Sequence, residues 1–242
     1  MQNIEGVLHH PKRNDRFVLM KKYVLLTLFI GLAFVGLAQK PVKYQVFFGG
    51  KTLPAKDKAE LTTFLEGCDA SFPTRKEAAT FFAERAWEFV ASGKLDTATY
   101  RFNLVNALDT ANIDAYWGLG VISFQRQDFP IAKQLLTKGL ISDPTQALMR
   151  VDYAIVLLSC YLKGMDCGTL AEADAELAQS LADEPKNANA WMKRSQVAFY
   201  QGNYEKSWEY FHACRSLDIL QMDLNFGILL AEKMPDPKGI FK

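Results

Sequence analysis

The chain has no excess of charge of either sign: its 242 residues hold 28 Lys and Arg against 27 Asp and Glu. A protein whose main task is to hold a phosphate backbone needs a basic surplus to displace counterions, so nucleic-acid binding is not expected. There is no GxxxxGK[ST] loop and no GxGxxG joining a strand to a helix, which removes the commonest phosphate cradles. Histidine is scarce, with only His9, His10 and His212. No Cys or His stands at metal-ligand spacing from His212, and a Ser-His-Asp or Cys-His enzyme would rest on that residue alone. A lone histidine inside a helical pattern is ordinarily a surface or packing residue rather than a ligand or base. Carboxylates are plentiful, but nothing in their spacing selects an acid–base pair. No catalytic residue, metal or cofactor is therefore expected.

A long apolar run is also missing. The longest, residues 23–37, falls short of the ~20 residues that span a bilayer. Lys21-Lys22 precedes it and Gly36-Leu37-Ala38 follows, giving the charged start and small-residue exit of an export signal. Residues 20–38 are read as that signal, with translation starting at Met20, residues 1–19 a mis-assigned start, and Gln39 the mature N-terminus. Residues 1–38 carry five basic and two acidic side chains, so without them 23 basic face 25 acidic. The expected location is outside the cytoplasm: periplasmic in a cell with an outer membrane, secreted otherwise, with no stable membrane span after cleavage. Retention of the segment as an anchor is the alternative.

What is present is repetition. One copy runs Tyr116-Trp117-Gly118-Leu119-Gly120, then Phe129, Ala132, Leu136 and Gly139, closing on Asp143-Pro144. Thirty-four residues earlier stand Phe82, Ala86, Leu95, Ala98 and Phe102. A third copy carries Trp191, Ser195, Tyr204, Ser207, Phe211 and Cys214. The step from Tyr116 to Trp191 is 75 residues, two periods plus seven, so a degenerate unit lies between them. Arg150 holds its opening aromatic position, and the seven extra residues fall near 163–169. Small residues such as Gly120 and Ala132 let two antiparallel helices approach, and Pro144 stops the second helix.

At these residues the sequence resembles the tetratricopeptide-repeat (TPR) family. The resemblance implies an all-α, right-handed superhelical solenoid of about four helix–turn–helix repeats, near 75–109, 112–144, 147–185 and 188–219. Residues 39–74 would precede it as an extended and short-helix segment, with 44–48 extended and a helix over 55–67. Residues 220–242 would form a capping helix and tail, using Leu220, Leu224, Ile228 and Leu229 to cover the last repeat.

It also implies a function: an exported, non-enzymatic scaffold or adaptor that offers a concave groove to another exported protein or peptide. Carried onto this register, the groove face comprises Glu84, Trp87, Trp117, Val121, Phe124, Gln125, Asp152, Ile155, Lys193, Gln196 and Tyr200. Trp87 and Trp117 are not needed for contact between the paired helices, so they are expected to face solvent. An envelope enzyme or enzyme subunit is one alternative. A glycan or small-molecule binder using the two indoles as stacking platforms is the other. Of four cysteines, Cys160 and Cys167 flank the long turn and are the candidate disulfide.

Overall fold

The computed structural model describes residues 40–241. The expected signal at 20–38, the start at Met20 and the terminus at Gln39 lie outside the described residues.

Ten α-helices occur among the described residues, and no strand does. They are α1 (Ala55–Ser71), α2 (Arg75–Ala91), α3 (Leu95–Leu108), α4 (Ile113–Gln125), α5 (Phe129–Ser142), α6 (Ala147–Leu162), α7 (Leu170–Asp183), α8 (Ala188–Tyr200), α9 (Tyr204–Leu217) and α10 (Leu224–Lys233). Helices α2 to α9 pair consecutively into four hairpins, stacked so that each first helix also packs on its neighbours. The starts are written in the sequence: Thr74, Asn112, Asp128, Thr169, Asn187, Asn203 and Asp223 each accept the N–H three residues on. The turn inside each hairpin contains one left-handed residue: Gly93, Gln127, Gly164 or Gly202.

Each hairpin closes on a buried seam. Leu119, Ala132 and Leu136 are fully buried, and a side chain at Gly120 would meet Leu136 Cγ at 2.8 Å. Gly118 is tighter still, because a Cβ there would lie 2.1 Å from the Phe102 ring. The close approach at Gly120 seats α4 on α5, whereas Gly118 seats α4 on α3 of the preceding hairpin.

The opening position does one repeated job in the last three hairpins; in the first it is Phe82, which has no donor. Tyr116 Oη donates to the Thr110 carbonyl at 3.0 Å, and Trp191 Nε1 donates to the Pro185 carbonyl at 2.9 Å. Arg150, which replaces the aromatic, donates from Nη2 to the Pro144 carbonyl at 2.8 Å. All three reach back six residues to the preceding turn. The substitution that makes the third hairpin look degenerate therefore keeps the hydrogen bond and adds an ion pair to Glu176 at 2.6 Å.

The long turn of that hairpin folds back on its own first helix. Cys160 and Cys167 are disulfide-bonded, with Cα atoms 5.4 Å apart. Gly168 lies so close to α6 that a Cβ would stand 2.6 Å from the Leu157 carbonyl oxygen. Thr169 and Glu172 then form a reciprocal capping box that starts α7. Closing so short a loop lowers the entropy of the unfolded chain by an amount worth about 2 kcal/mol.

Two expectations at the ends are corrected. Residues 44–48 are not extended: the chain makes short 3-10 turns at Val42–Tyr44 and Val46–Gly50, with Phe47 and Phe48 in the left-handed region. No strand is available as a partner among the described residues, and buried Asn103 supplies the missing hydrogen bonds. Its Oδ1 accepts from Phe47 N–H, and its Nδ2 donates to the carbonyls of Lys43 and Gln45. Phe47 then packs edge-on against Tyr116 at 5.5 Å.

The second correction concerns the cap. Leu220, Leu224, Ile228 and Leu229 do not cover the last repeat; they are exposed, Leu220 to 87%. The chain is extended at Met222 and begins a new helix on the Asp223 cap, which resets the register. Phe226 and Leu230 become the inward pair, in one cluster with Phe199, Trp208 and Phe211.

Candidate partner-binding surface

The first helices of the hairpins, α2, α4, α6 and α8, carry all eleven candidate residues. The structure draws Trp87, Trp117 and Asp152 into one linked array. Trp87 meets Trp117 edge-on at 5.4 Å and Phe102 at 5.2 Å. Trp87 Nε1 donates to Asp114 Oδ1 at 3.0 Å, and Trp117 Nε1 donates to Asp152 Oδ2 at 2.7 Å. Each indole therefore reaches forward to a carboxylate on the next first helix, bracing α2 to α4 and α4 to α6.

This corrects the exposure expected of the two tryptophans. Both are half-buried, and Trp117 packs against the cluster holding Phe129, Met149 and Val156. A free stacking platform needs an open ring and an uncommitted edge; these indoles have partners on both counts. The residues open to solvent are Glu84, Gln125 and Tyr200. Tyr200 stands on the edge of Phe199 at 5.2 Å. Val121, Phe124, Ile155, Lys193 and Gln196 are half-buried; Phe124 lies against Phe129, and Ile155 against the core around Val151 and Leu177. Gln196 reaches Asp223 at 3.4 Å, so α8 is joined to α10 as α2 is to α4. Asp114, the acceptor for Trp87, was not among the candidates; its only signal is an acidic residue at the start of a first helix, which capping explains equally well.

Two charges on this face, Asp152 and Lys193, are poorly solvated. Burial pushes the Asp152 carboxyl up, and the Trp117 hydrogen bond pulls it part of the way back. Burial likewise pushes Lys193 down, opposed by Asp223 and the Cys214 thiol. An Asp raised in the folded state binds its proton more tightly there than in the unfolded chain. Its charge thus costs stability fully above the raised value, and the cost disappears as pH falls through it. Asp152→Asn keeps an acceptor for the Trp117 N–H without the charge, so it should melt at or above wild type at pH 7. Asp152→Ala leaves that N–H unpaired and should cost about 1–3 kcal/mol. Melting curves of the two variants decide the point; an Asn variant that melts below the Ala variant would show that the charge itself is needed.

Two clefts lie elsewhere, at the C-terminal end. One of about 470 Å³ is lined by Gln201, Gly202, Asn203, Tyr204, Glu205 and Met234. The other, about 330 Å³, runs between α9 and the tail, with Trp208, His212 and Pro237 in its wall. Here His212 is buried: its Nε2 lies 2.7 Å from Asp236 Oδ1, and its ring stacks on Trp208. Asp236 also accepts the N–H groups of Lys238, Ile240 and Phe241. Burial alone would raise this carboxyl, but the hydrogen bonds from Phe241, Lys238, His212 and Ile240 outweigh it and hold the carboxyl well below the usual carboxylate range. The pair latches the tail onto α9. Among the described residues no group of three or more His, Cys, Asp or Glu could hold a metal, and no helix is long and apolar enough to cross a membrane.

No protein-family model and no curated protein sequence matches the chain. Solved structures do. PilF of Pseudomonas aeruginosa superimposes with a TM-score of 0.57 at 18% identity, over 66% of this chain and 69% of that one. MamA of Desulfovibrio magneticus RS-1 does so with a TM-score of 0.54 at 15% identity, over 66% and 86%. Both are built from the same repeat. At such identities the likeness establishes a common fold.

Proposed function

Because the chain folds as a tetratricopeptide-repeat solenoid, we propose that it is a non-enzymatic scaffold whose first-helix face receives a segment of another exported polypeptide. The observation that carries this reading is the construction of that face. Trp87 and Trp117 spend their N–H groups on bracing successive first helices, so the surface is held rigid before any partner arrives. A pre-organised surface loses little entropy on binding, which suits recognition of an extended, flexible segment. Glu84, Gln125 and Tyr200 stand open along it as contact residues, with Val121, Phe124, Ile155, Lys193 and Gln196 half-buried between them. The groove itself, the export of the chain and the export of its partner belong to this proposal. Export is supported by the charged start, apolar run and small-residue exit at 21–38.

The test is affinity capture from native envelope material with the wild-type chain, followed by affinity measurement on the captured partner. Tyr200→Ala should weaken binding by about 2 kcal/mol, around thirtyfold, with little change in melting temperature. Ile141→Ala on α5, at a side chain 77% exposed, should bind as wild type. If Tyr200→Ala, Gln125→Ala and Glu84→Ala all bind normally while Ile141→Ala does not, the partner uses the second-helix side and the proposed face is wrong.

A further inference from the structure

The exposed stripe at the C-terminal end has a definite place in the repeat geometry. Count one and five residues from the N-cap of each first helix. In α4 these positions hold Ile113 and Trp117, half-buried against the cluster that includes Met149 and Val156 of α6. In α6 they hold Ala147 and Val151, and in α8 Ala188 and Met192, all buried. Ala188 and Met192 share a cluster with Phe226 and Leu230 of α10. This is the stacking face of the last three hairpins; in α2 the same positions are Arg75, exposed and paired with Asp69 of α1, and the buried Ala79. In α10 the same positions are Leu224 and Ile228, and they are 62% and 64% exposed.

The stripe extends along the chain. Leu217, Ile219, Leu220 and Leu229 are 41%, 66%, 87% and 38% exposed. With Leu224 and Ile228 they open on the order of 600 Å² of apolar surface, at the upper end of the roughly 300–600 Å² that a monomer's largest patch covers and close to the ~800 Å² that each partner gives to a stable interface.

We propose that this face is closed by the same face of a second copy, forming a two-fold dimer through α10. The two ends of the solenoid differ, and that selects the arrangement. The N-terminal end is covered by α1, whose outer side bears Lys56, Lys58, Glu60, Thr62, Thr63 and Glu66. An apolar stacking face gains nothing from that polar helix, so head-to-tail association is disfavoured. Self-association of the apolar ends closes after two copies. Antiparallel packing of the two α10 helices also carries Lys233 of one copy toward Asp223 of the other, pairing the charged ends.

The measurement is sedimentation velocity on the purified full chain, with circular dichroism as the control for folding. Wild type should dimerise with a Kd of about 10 µM or tighter. Leu224→Glu/Ile228→Glu should remain helical and dimerise at least about tenfold more weakly. Glu60→Lys on α1 should leave the dimer unchanged. A readout that does not depend on tolerance of the double variant is Ile228→Cys, which should form a disulfide between copies under mild oxidation, whereas Thr63→Cys should not. A wild-type chain that stays monomeric at about 100 µM overturns the proposal. So does an Ile228→Cys chain that fails to cross-link. Either result means that the face is covered by another protein or by residues outside 40–241, or stays open.

Discussion

Gly118→Ala should lower the melting temperature of this protein, whereas Gly67→Ala should raise it, although both replace a helical glycine by the best helix former. In an open helix the exchange stabilises by about 0.5–1 kcal/mol, because glycine loses the most backbone freedom on folding. Gly67 in α1 meets nothing within 4 Å, so it should show that gain in full. At Gly118 the added methyl would lie 2.1–2.6 Å from three ring atoms of Phe102. That ring is completely buried among Ala86, Ala98, Leu119 and Ile122 and has no open side to move toward. Either α3 and α4 separate or the ring leaves its seat. Overpacking of this kind costs about 1–3 kcal/mol, more than the propensity gain. With about 2–4 °C per kcal/mol in a domain of this size, the overpacking cost should separate the two melting temperatures by about 2–12 °C. If Gly118→Ala melts with wild type, the hairpins slide freely against one another and the stack is looser than its packing implies.

The second large effect is expected at Asp236. Asp236→Ala removes the acceptor for three backbone N–H groups and for His212 in one step. Truncating one member of a buried hydrogen-bonded pair costs about 3–5 kcal/mol, which here should appear as a fall of roughly 10 °C. Because the carboxyl is depressed in the folded state, its contribution is in place at neutral pH. It is lost only as pH falls below the ordinary carboxylate range toward the depressed folded value. The readout that separates release of the tail from general weakening is fluorescence. Trp208 is 1% exposed, its Nε1 donates to the Met234 carbonyl, and its ring stacks on Phe241. If the tail is released, Trp208 emission should shift to the red well below the melting temperature. A variant that loses stability with unchanged Trp208 emission would show that residues 234–241 stay seated without the carboxylate.

The repeats were legible because their constraints act at fixed distances along the chain. Leu119, Gly120, Ala132 and Leu136 meet within one hairpin, so the spacing reports the contact. What was not legible depends on partners in the next hairpin or beyond the last one. Gly118 is small because of Phe102, sixteen residues earlier, and that pairing leaves no mark within either helix. Trp117 looked free because its partner Asp152 lies thirty-five residues on, in a unit that had lost its own signature. The stripe from Leu220 to Leu229 had helical spacing, but the extended residue Met222 broke the register and exchanged its inner and outer faces. Pro235-Asp236-Pro237 read only as a helix stop. An acidic residue between two prolines gives no hint that three N–H groups will converge on it.

The i to i−6 bond at the openings of the last three hairpins suggests a different way of recognising a worn repeat. A phenol, an indole and a guanidinium have little in common on a hydropathy scale, and a search by residue likeness scores Arg150 as a mismatch. Ranked by reach and by the presence of an N–H or O–H at the tip, Tyr116, Arg150 and Trp191 fall into one class. A repeat profile written in such functional terms, as a long side chain ending in a donor and followed by small residues one turn on, would accept this third unit without penalty.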